Sequence, residues 1–226
     1  MYKKSTLRST AKSFLFIITM FLICVGFAAW NPANVRSQFT EIITRVSVDD
    51  SGIQGNNYSR EVSIDEDGSH VAFSSLADNL VDDDTNIYED IFVYTAETGA
   101  VTRVSVSSGG TQANRTSRNP SISGDGRYVA FDSEASNLVT GDTNSVIDIF
   151  VYDLDTETIE RVSIDDGGDE GNNHSQYPSI SDDGRYVVFQ SAATNLVASD
   201  TNNLIDIFLQ DRNTDTTTLL SLDTTH

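Results

Sequence analysis

The feature that most constrains this chain is a repeat of 58 residues that recurs without an insertion or deletion. Its clearest marker is the string Arg-Val-Ser-Val at 45–48, which returns in the same or closely related form at 103–106, 161–164 and 219–222. Tandem copies of one short unit predict that each copy folds as one element and packs against its neighbours.

Each copy contains four short segments rich in β-branched and aromatic residues, which predict four strands, here called a to d. In the middle copy these segments are 120–123, 127–133, 148–153 and 158–164. Asp125-Gly126 separates the first two, and this dipeptide supplies the positive φ values of a tight hairpin turn. Four-stranded units repeated without a helical segment predict an all-β chain of β-propeller blades.

One stretch of the middle copy carries a family resemblance. The residues Ser123-Gly-Asp-Gly-Arg-Tyr-Val-Ala-Phe-Asp-Ser133, followed by Asp148-Ile-Phe-Val-Tyr-Asp153, resemble the TolB-like, WD-type β-propeller repeat, and the resemblance covers residues 40–222. It implies a periplasmic scaffold that binds other envelope proteins. The same repeat also occurs in the propellers of prolyl-oligopeptidase-like enzymes, so it is poor evidence for function.

The number of repeats predicts an incomplete ring. The units are 49–106, 107–164 and 165–222, and the segment Glu41–Val48 matches one extra strand d. A propeller ring closes with about four to eight blades, so three repeats are too few to close one. Two explanations stay open: the chain is a fragment of a longer propeller, or a homodimer forms a six-bladed ring and covers the apolar blade faces.

The first 30 residues have the layout of an export signal. A basic start precedes the apolar run Phe14–Trp30, which contains small residues near its end. This pattern predicts a signal peptide that is cut near Ala28 or Ala29. The run of 17 residues also reaches the lower limit of a spanning helix, so an uncleaved membrane anchor stays open. Residues 31–39 are interpreted as a linker, 40–226 as the repeats, and the location as periplasmic or secreted.

The acidic charge of the chain limits the classes of partner that it can bind. The net charge is −20, and leaving out the four cations of the first twelve residues leaves 10 cations against 34 acids, or −24. Such a surface repels phosphates and anionic lipid heads, so we do not expect the chain to bind nucleic acid. We expect contact with a membrane only through the N-terminal segment. The single cysteine, Cys24, lies in the apolar run, which excludes disulfides from the rest of the chain.

The loop between strands b and c carries the candidate metal ligands. It repeats an Asp-Thr-Asn string followed by an aspartate at the start of strand c, and these oxygen ligands are of the kind that Ca²⁺ prefers. The alternative is that they make local turn hydrogen bonds. The candidates are Asp84, Asn86 and Asp90 in the first copy, Asp142, Asn144 and Asp148 in the second, and Asp200, Asn202 and Asp206 in the third.

A catalytic set is not evident in the sequence. His70, His174 and His226 each occur in one copy only, and the sequence contains no Gly-x-Ser-x-Gly elbow. We therefore predict a non-enzymatic, exported scaffold that binds a protein partner in the cell envelope or outside the cell, with Ca²⁺ as its candidate cofactor. The alternative is the propeller portion of a longer prolyl-oligopeptidase-like hydrolase.

Overall fold

The computed structural model describes residues 43–221, and the strands of this part form three four-stranded antiparallel sheets. In each sheet the spatial order follows the chain, as in a propeller blade. The first blade contains β1 (Ser59–Ile64), β2 (His70–Ser75), β3 (Asp90–Thr95) and β4 (Val101–Arg103). The second contains β5 (Ser117–Ile122), β6 (Tyr128–Ser133), β7 (Asp148–Asp153) and β8 (Thr158–Arg161), and the third contains β9 (Ser175–Ile180), β10 (Tyr186–Ser191), β11 (Asp206–Asp211) and β12 (Thr216–Leu219).

This architecture confirms the prediction of an all-β chain of three blades, which is an incomplete ring. The predicted signal segment, 1–30, and the predicted linker, 31–39, lie outside the described residues. Within 43–221, no helix has the length and apolar character needed to span a bilayer.

Strand d ends earlier than the sequence predicted. In the second blade it stops at Arg161 rather than at residue 164. Beyond that point, the hydroxyl of Ser163 accepts from the amide of Ile149 at 3.1 Å and donates to the Asp148 carboxylate at 2.6 Å. The carbonyl of Ile149 still accepts from the amide of Val162 at 2.8 Å, but its amide is bound by a side chain instead of a strand carbonyl, and the strand ends.

The extra strand predicted at Glu41–Val48 is not formed in its described part. Residues 43–47 have no strand structure, and Val48 makes only an isolated bridge to Gln54. The three strands d of the blades obtain their ladder from strand c of the same blade. The prediction was wrong for residues 43–48 because no strand c lies beside them among the described residues.

Each blade has two different apolar faces. One face carries a phenylalanine pair from strands b and c, directly opposed in register, such as Phe131 and Phe150, whose ring centroids are 6.1 Å apart. The other face carries smaller aliphatic residues, such as Ala130 and Ile149 in the second blade. This alternation follows from the two-residue period of a strand.

The blades stack because the aliphatic face of one packs on the phenylalanine face of the next. Ala72, Ile91 and Val93 of the first blade share a core with Phe131 and Phe150 of the second. Ala130 and Ile149 of the second blade share a core with Phe189 and Phe208 of the third. Two interfaces of the same kind therefore join the three blades.

The aliphatic face of the third blade is uncovered by the described residues. Ile207 is 39% exposed and Leu220 is 48% exposed. Their counterparts in the second blade, Ile149 and Val162, are buried under the third blade. The third blade thus presents to its surroundings a face that the other two blades bury.

Hairpin turns between strands a and b also tie neighbouring blades together. The amide of Asp125 donates to the carbonyl of Asp182 in the next turn at 3.0 Å. Gly184 has a φ of +69°, and a Cβ at this position would overlap the ring of Tyr128 in the preceding blade. Only glycine fits here, because without a Cβ it adopts the left-handed conformation freely and leaves room for the tyrosine ring.

We expect Gly184→Ala to lower the free energy of unfolding by about 2–5 kcal/mol. A left-handed conformation costs a residue with a Cβ about 1–2 kcal/mol, and overpacking adds about 1–3 kcal/mol. Gly141→Ala is the matched control, because Gly141 has a φ of +87° and open space around it. Urea unfolding of both variants measures the difference, and equal losses would contradict the packing argument.

Candidate functional site

In the first blade, the predicted acidic loop lies beside a buried arginine. The side chain of Arg103, on β4, is 4% exposed, and its Nη1 lies 3.3 Å from Oδ1 of Asp84. Nδ2 of Asn86 donates to Oδ2 of Asp90 at 2.8 Å, and Oγ of Ser105 donates to Oδ1 of Asp90 at 2.5 Å. A guanidinium thus supplies positive charge next to the predicted ligands.

The second blade repeats this arrangement with Arg161 of β8. Its Nη1 lies 3.6 Å from Oδ1 of Asp142 and 3.7 Å from Oδ2 of Asp148. It also lies 2.8 Å from Oε2 of Glu170, which belongs to the loop that leads to the third blade. Nδ2 of Asn144 donates to Asp148 at 2.8 Å. All three predicted residues of this blade therefore lie in one polar cluster around the arginine.

The third blade differs from the other two. Leu219 stands where Arg103 and Arg161 stand, since each of these residues pairs with the phenylalanine of strand c in the same register. Asp200 and Asp206 are buried, with exposures of 7% and 5%. Both carboxylate oxygens of Asp200 and Oδ2 of Asp206 have no hydrogen-bond partner within residues 43–221.

Asn202, the third predicted residue of this blade, is exposed, and its Oδ1 accepts from the amide of Leu204 at 2.7 Å. Across the described part of the chain, no three side chains of the His, Cys, Asp and Glu types are grouped closely enough to hold a metal ion. Any metal at these loops would therefore need main-chain carbonyls, amide oxygens or water among its ligands.

Burial affects the acid–base behaviour of these loops. It raises the pKa of Asp90 to about 6, against the opposing effect of the hydrogen bonds from Ser105 and Asn86. It also raises the pKa of Asp142 to about 6, and the neighbouring charge of Asp148 adds to the rise. Arg103 and Arg161 oppose these shifts in the first and second blades, because a nearby cation favours the ionised carboxylate.

A second polar cluster, which the sequence analysis missed, lies at the inner strands β1 and β5. Glu89 is 1% exposed and receives hydrogen bonds from three side chains. Nη2 of Arg60 lies 2.6 Å from Oε2 of Glu89, and Nε of Arg118 lies 2.8 Å from the same atom. The two arginine side chains are 50% and 44% exposed and line a cleft of about 350 Å³.

The backbone next to this cleft adopts an unusual conformation. Glu61, Asn119 and Tyr177 occupy the same place in the three inner strands, at a β-bulge, with φ values of 53°, 53° and 55°. The amide of Asn119 donates to Glu61 at 3.0 Å, and the amide of Tyr177 donates to Asp132 at 3.0 Å. Left-handed residues other than glycine cost about 1–3 kcal/mol each, and such strain clusters at binding sites.

Three residues that could suggest hydrolase chemistry meet near a hairpin turn of the first blade. Nδ1 of His70 lies 2.9 Å from Oγ of Ser69 and 2.9 Å from Oδ2 of Asp65. A catalytic triad needs the serine and the acid on opposite nitrogens of the imidazole, whereas both groups contact Nδ1 here. Asp65 instead accepts from the main-chain amide of His70 at 3.1 Å, as Ser123 does from Tyr128 in the second blade.

Comparisons with known proteins bear on the fold alone. No family model matches the sequence, and no curated protein matches it. A structure described as a TolB from Agrobacterium tumefaciens is 21% identical, with 72% of this chain and 48% of that chain covered and a TM-score of 0.46. The β-propeller domain of the Trilobed protease from Pyrococcus furiosus is 16% identical, with 72% and 42% covered and a TM-score of 0.45.

An acylaminoacyl peptidase from Pyrococcus horikoshii is 14% identical, with 73% of this chain and 25% of that chain covered and a TM-score of 0.45. The chain thus spans less than half the length of each of these three structures. They are similar to this chain in fold, and they include a TolB, the propeller domain of a protease and a peptidase.

Asp132 lines the same cleft as Arg60 and Arg118, and it provides a pH test of this site because burial raises its pKa to about 6. The unfolded chain holds this proton less tightly, so the contribution of Asp132 to stability is present below about pH 4 and is lost as the pH rises to about 6. We expect Asp132→Asn to stabilise the protein at pH 7 by about 1–3 kcal/mol relative to the wild type. The advantage should shrink towards pH 4.

Unfolding by urea from pH 4 to pH 8 measures this difference. A matched control is Gln190→Glu, because Gln190 is the counterpart of Asp132 in the third blade and lies in the same register of strand b. This control should lose stability as the pH rises. A difference between the wild type and Asp132→Asn that does not change with pH would contradict the raised pKa.

Proposed function

We propose that this chain is an exported, non-enzymatic propeller scaffold that acts by binding protein in the cell envelope or outside the cell. The observation that carries the proposal is the uncovered aliphatic face of the third blade. Large exposed apolar surfaces mark sites of protein interaction, because leaving them in water is unfavourable. The apolar N-terminal segment, which precedes the described residues, supports export.

A blade from a second copy of the chain is the occupant that we propose for this face. Inside the chain, the same kind of face is covered twice by the phenylalanine face of the next blade. The first blade carries the corresponding pair Phe73 and Phe92, which is already buried. The exposed apolar part of this blade is Ile64 on its inner strand, which is 62% exposed while its counterparts Ile122 and Ile180 are buried. Two copies joined at both ends make a ring of six blades, within the usual range of about four to eight.

The remaining polar features fit a scaffold better than an enzyme. The serine, histidine and aspartate near the turn stabilise that turn, and the arginines of the inner cleft are paired with Glu89. Arginine and tyrosine are enriched among residues that dominate binding energy at interfaces, so Arg60, Arg118 and Tyr177 form a second candidate surface for a partner.

The pairing of two copies is tested by light scattering on the full chain. We expect about twice the mass of one chain, which is 24.7 kDa. Leu220→Asp should convert the dimer to a monomer, because a charge cannot be buried without a partner. Thr218→Asp is the control, since the counterparts of Thr218, Thr102 and Glu160, are exposed in the two blades whose faces are covered. A folded wild-type monomer would contradict the pairing.

The scaffold role is tested separately, with the full chain expressed in a bacterium. We expect the protein in the envelope or the medium, and a partner that co-purifies with the wild type but is lost from the Arg60→Ala, Arg118→Ala, Tyr177→Ala triple variant. The purified protein should not hydrolyse ester or prolyl-peptide substrates. Measurable hydrolysis at a rate that scales with protein concentration would contradict the non-enzymatic role.

A further inference from the structure

One position in the repeat decides whether the acidic loop of a blade has a positive charge. The position is the end of strand d, directly opposite the phenylalanine of strand c. It holds Arg103 in the first blade and Arg161 in the second, and both guanidinium groups lie within 4 Å of loop carboxylates. In the third blade it holds Leu219, whose side chain belongs to the apolar core.

The loss of the arginine leaves two acids of the third blade without compensation. Asp200 and Asp206 are more than nine-tenths buried, and three of their four carboxylate oxygens have no hydrogen-bond partner within residues 43–221. The fourth oxygen, Oδ1 of Asp206, accepts from the hydroxyl of Ser221. The Asn-to-Asp hydrogen bond of the other blades is also absent here, among the residues that the structure describes.

Two buried carboxylates that lack a cation, and that share a single hydrogen-bond donor, are strongly unfavourable in their charged forms. The third blade nevertheless keeps both acids at the places where the other two blades hold them against an arginine. A mobile cation can supply the charge that the side chain at this position does not. We propose that Asp200 and Asp206 bind one Ca²⁺ ion, in the place that a guanidinium occupies in the other two blades.

The donor atoms select the class of ion. The proposed ligands are carboxylate oxygens of Asp200 and Asp206, with loop carbonyls and water to complete the coordination, and Ca²⁺ prefers such oxygen ligands. Thiolate and imidazole, which favour zinc and copper, are absent from the proposed ligand set. The first and second blades do not form this site, because Arg103 and Arg161 already occupy it. The proposal is independent of the pairing of two copies.

Calorimetric titration of the full chain with CaCl₂, after treatment with EDTA, tests the proposal. We expect one saturable Ca²⁺ site per chain in the wild type, and a melting temperature that rises with Ca²⁺, because a ligand that binds only the folded state stabilises it. Leu219→Arg should abolish this site by restoring the arginine of the other blades. It should also raise the melting temperature in EDTA.

Leu219→Met is the matched control, because it keeps an uncharged side chain of similar size and should retain the site. The acidic surface will bind Ca²⁺ weakly elsewhere, but that binding is the same in all three proteins and is removed by titration in high NaCl. Asp200→Asn with Asp206→Asn provides a second route, and this variant should lose the site without any change in side-chain volume. A wild type that binds no Ca²⁺ at millimolar concentration, or a Leu219→Arg variant that binds as the wild type does, would overturn the proposal.

Discussion

The stacking of one apolar blade face on another is the interaction on which the rest of this structure depends. Every blade carries a phenylalanine pair on one face and small aliphatic side chains on the other, so a blade cannot bury both faces by itself. Neighbours in the chain cover each other, and the outermost aliphatic face stays open. The demand for a cover on that face, and not any catalytic feature, is what makes this chain an interaction protein in our proposal.

A second constraint acts at the rim of each blade, where carboxylates are buried at the start of strand c. Burial raises the pKa of Asp90 and Asp148, and a buried charged carboxylate needs a cation nearby. Two blades meet this need with an arginine that is placed by the register of strand d, whereas the third has a leucine in the same place. Loops that share the same Asp-Thr-Asn string therefore have different electrostatic surroundings. One loop of the three is left with acids that no described side chain neutralises.

Much of the candidate site could be found by comparing the repeats, and the rest could not. The 58-residue offset brings out Asp142, Asn144 and Asp148 because the same letters recur. It does not bring out Glu89, Arg60 and Arg118, because Glu89 stands where the other copies have isoleucine and the three residues meet only across two blades. The left-handed positions Glu61, Asn119 and Tyr177 share no side-chain type, so no sequence pattern marks them.

The sequence by itself determined the blade, because turn dipeptides, strand periodicity and the phenylalanine positions are local properties that recur in each copy. It also determined which loops are acidic. Only the tertiary structure decided which of those acids have a cation, where strand d ends and that residues 43–48 form no strand. These outcomes depend on contacts between segments that are distant in the chain: a ladder needs a partner strand, and a buried charge needs a counter-charge, and neither requirement can be read from one segment alone.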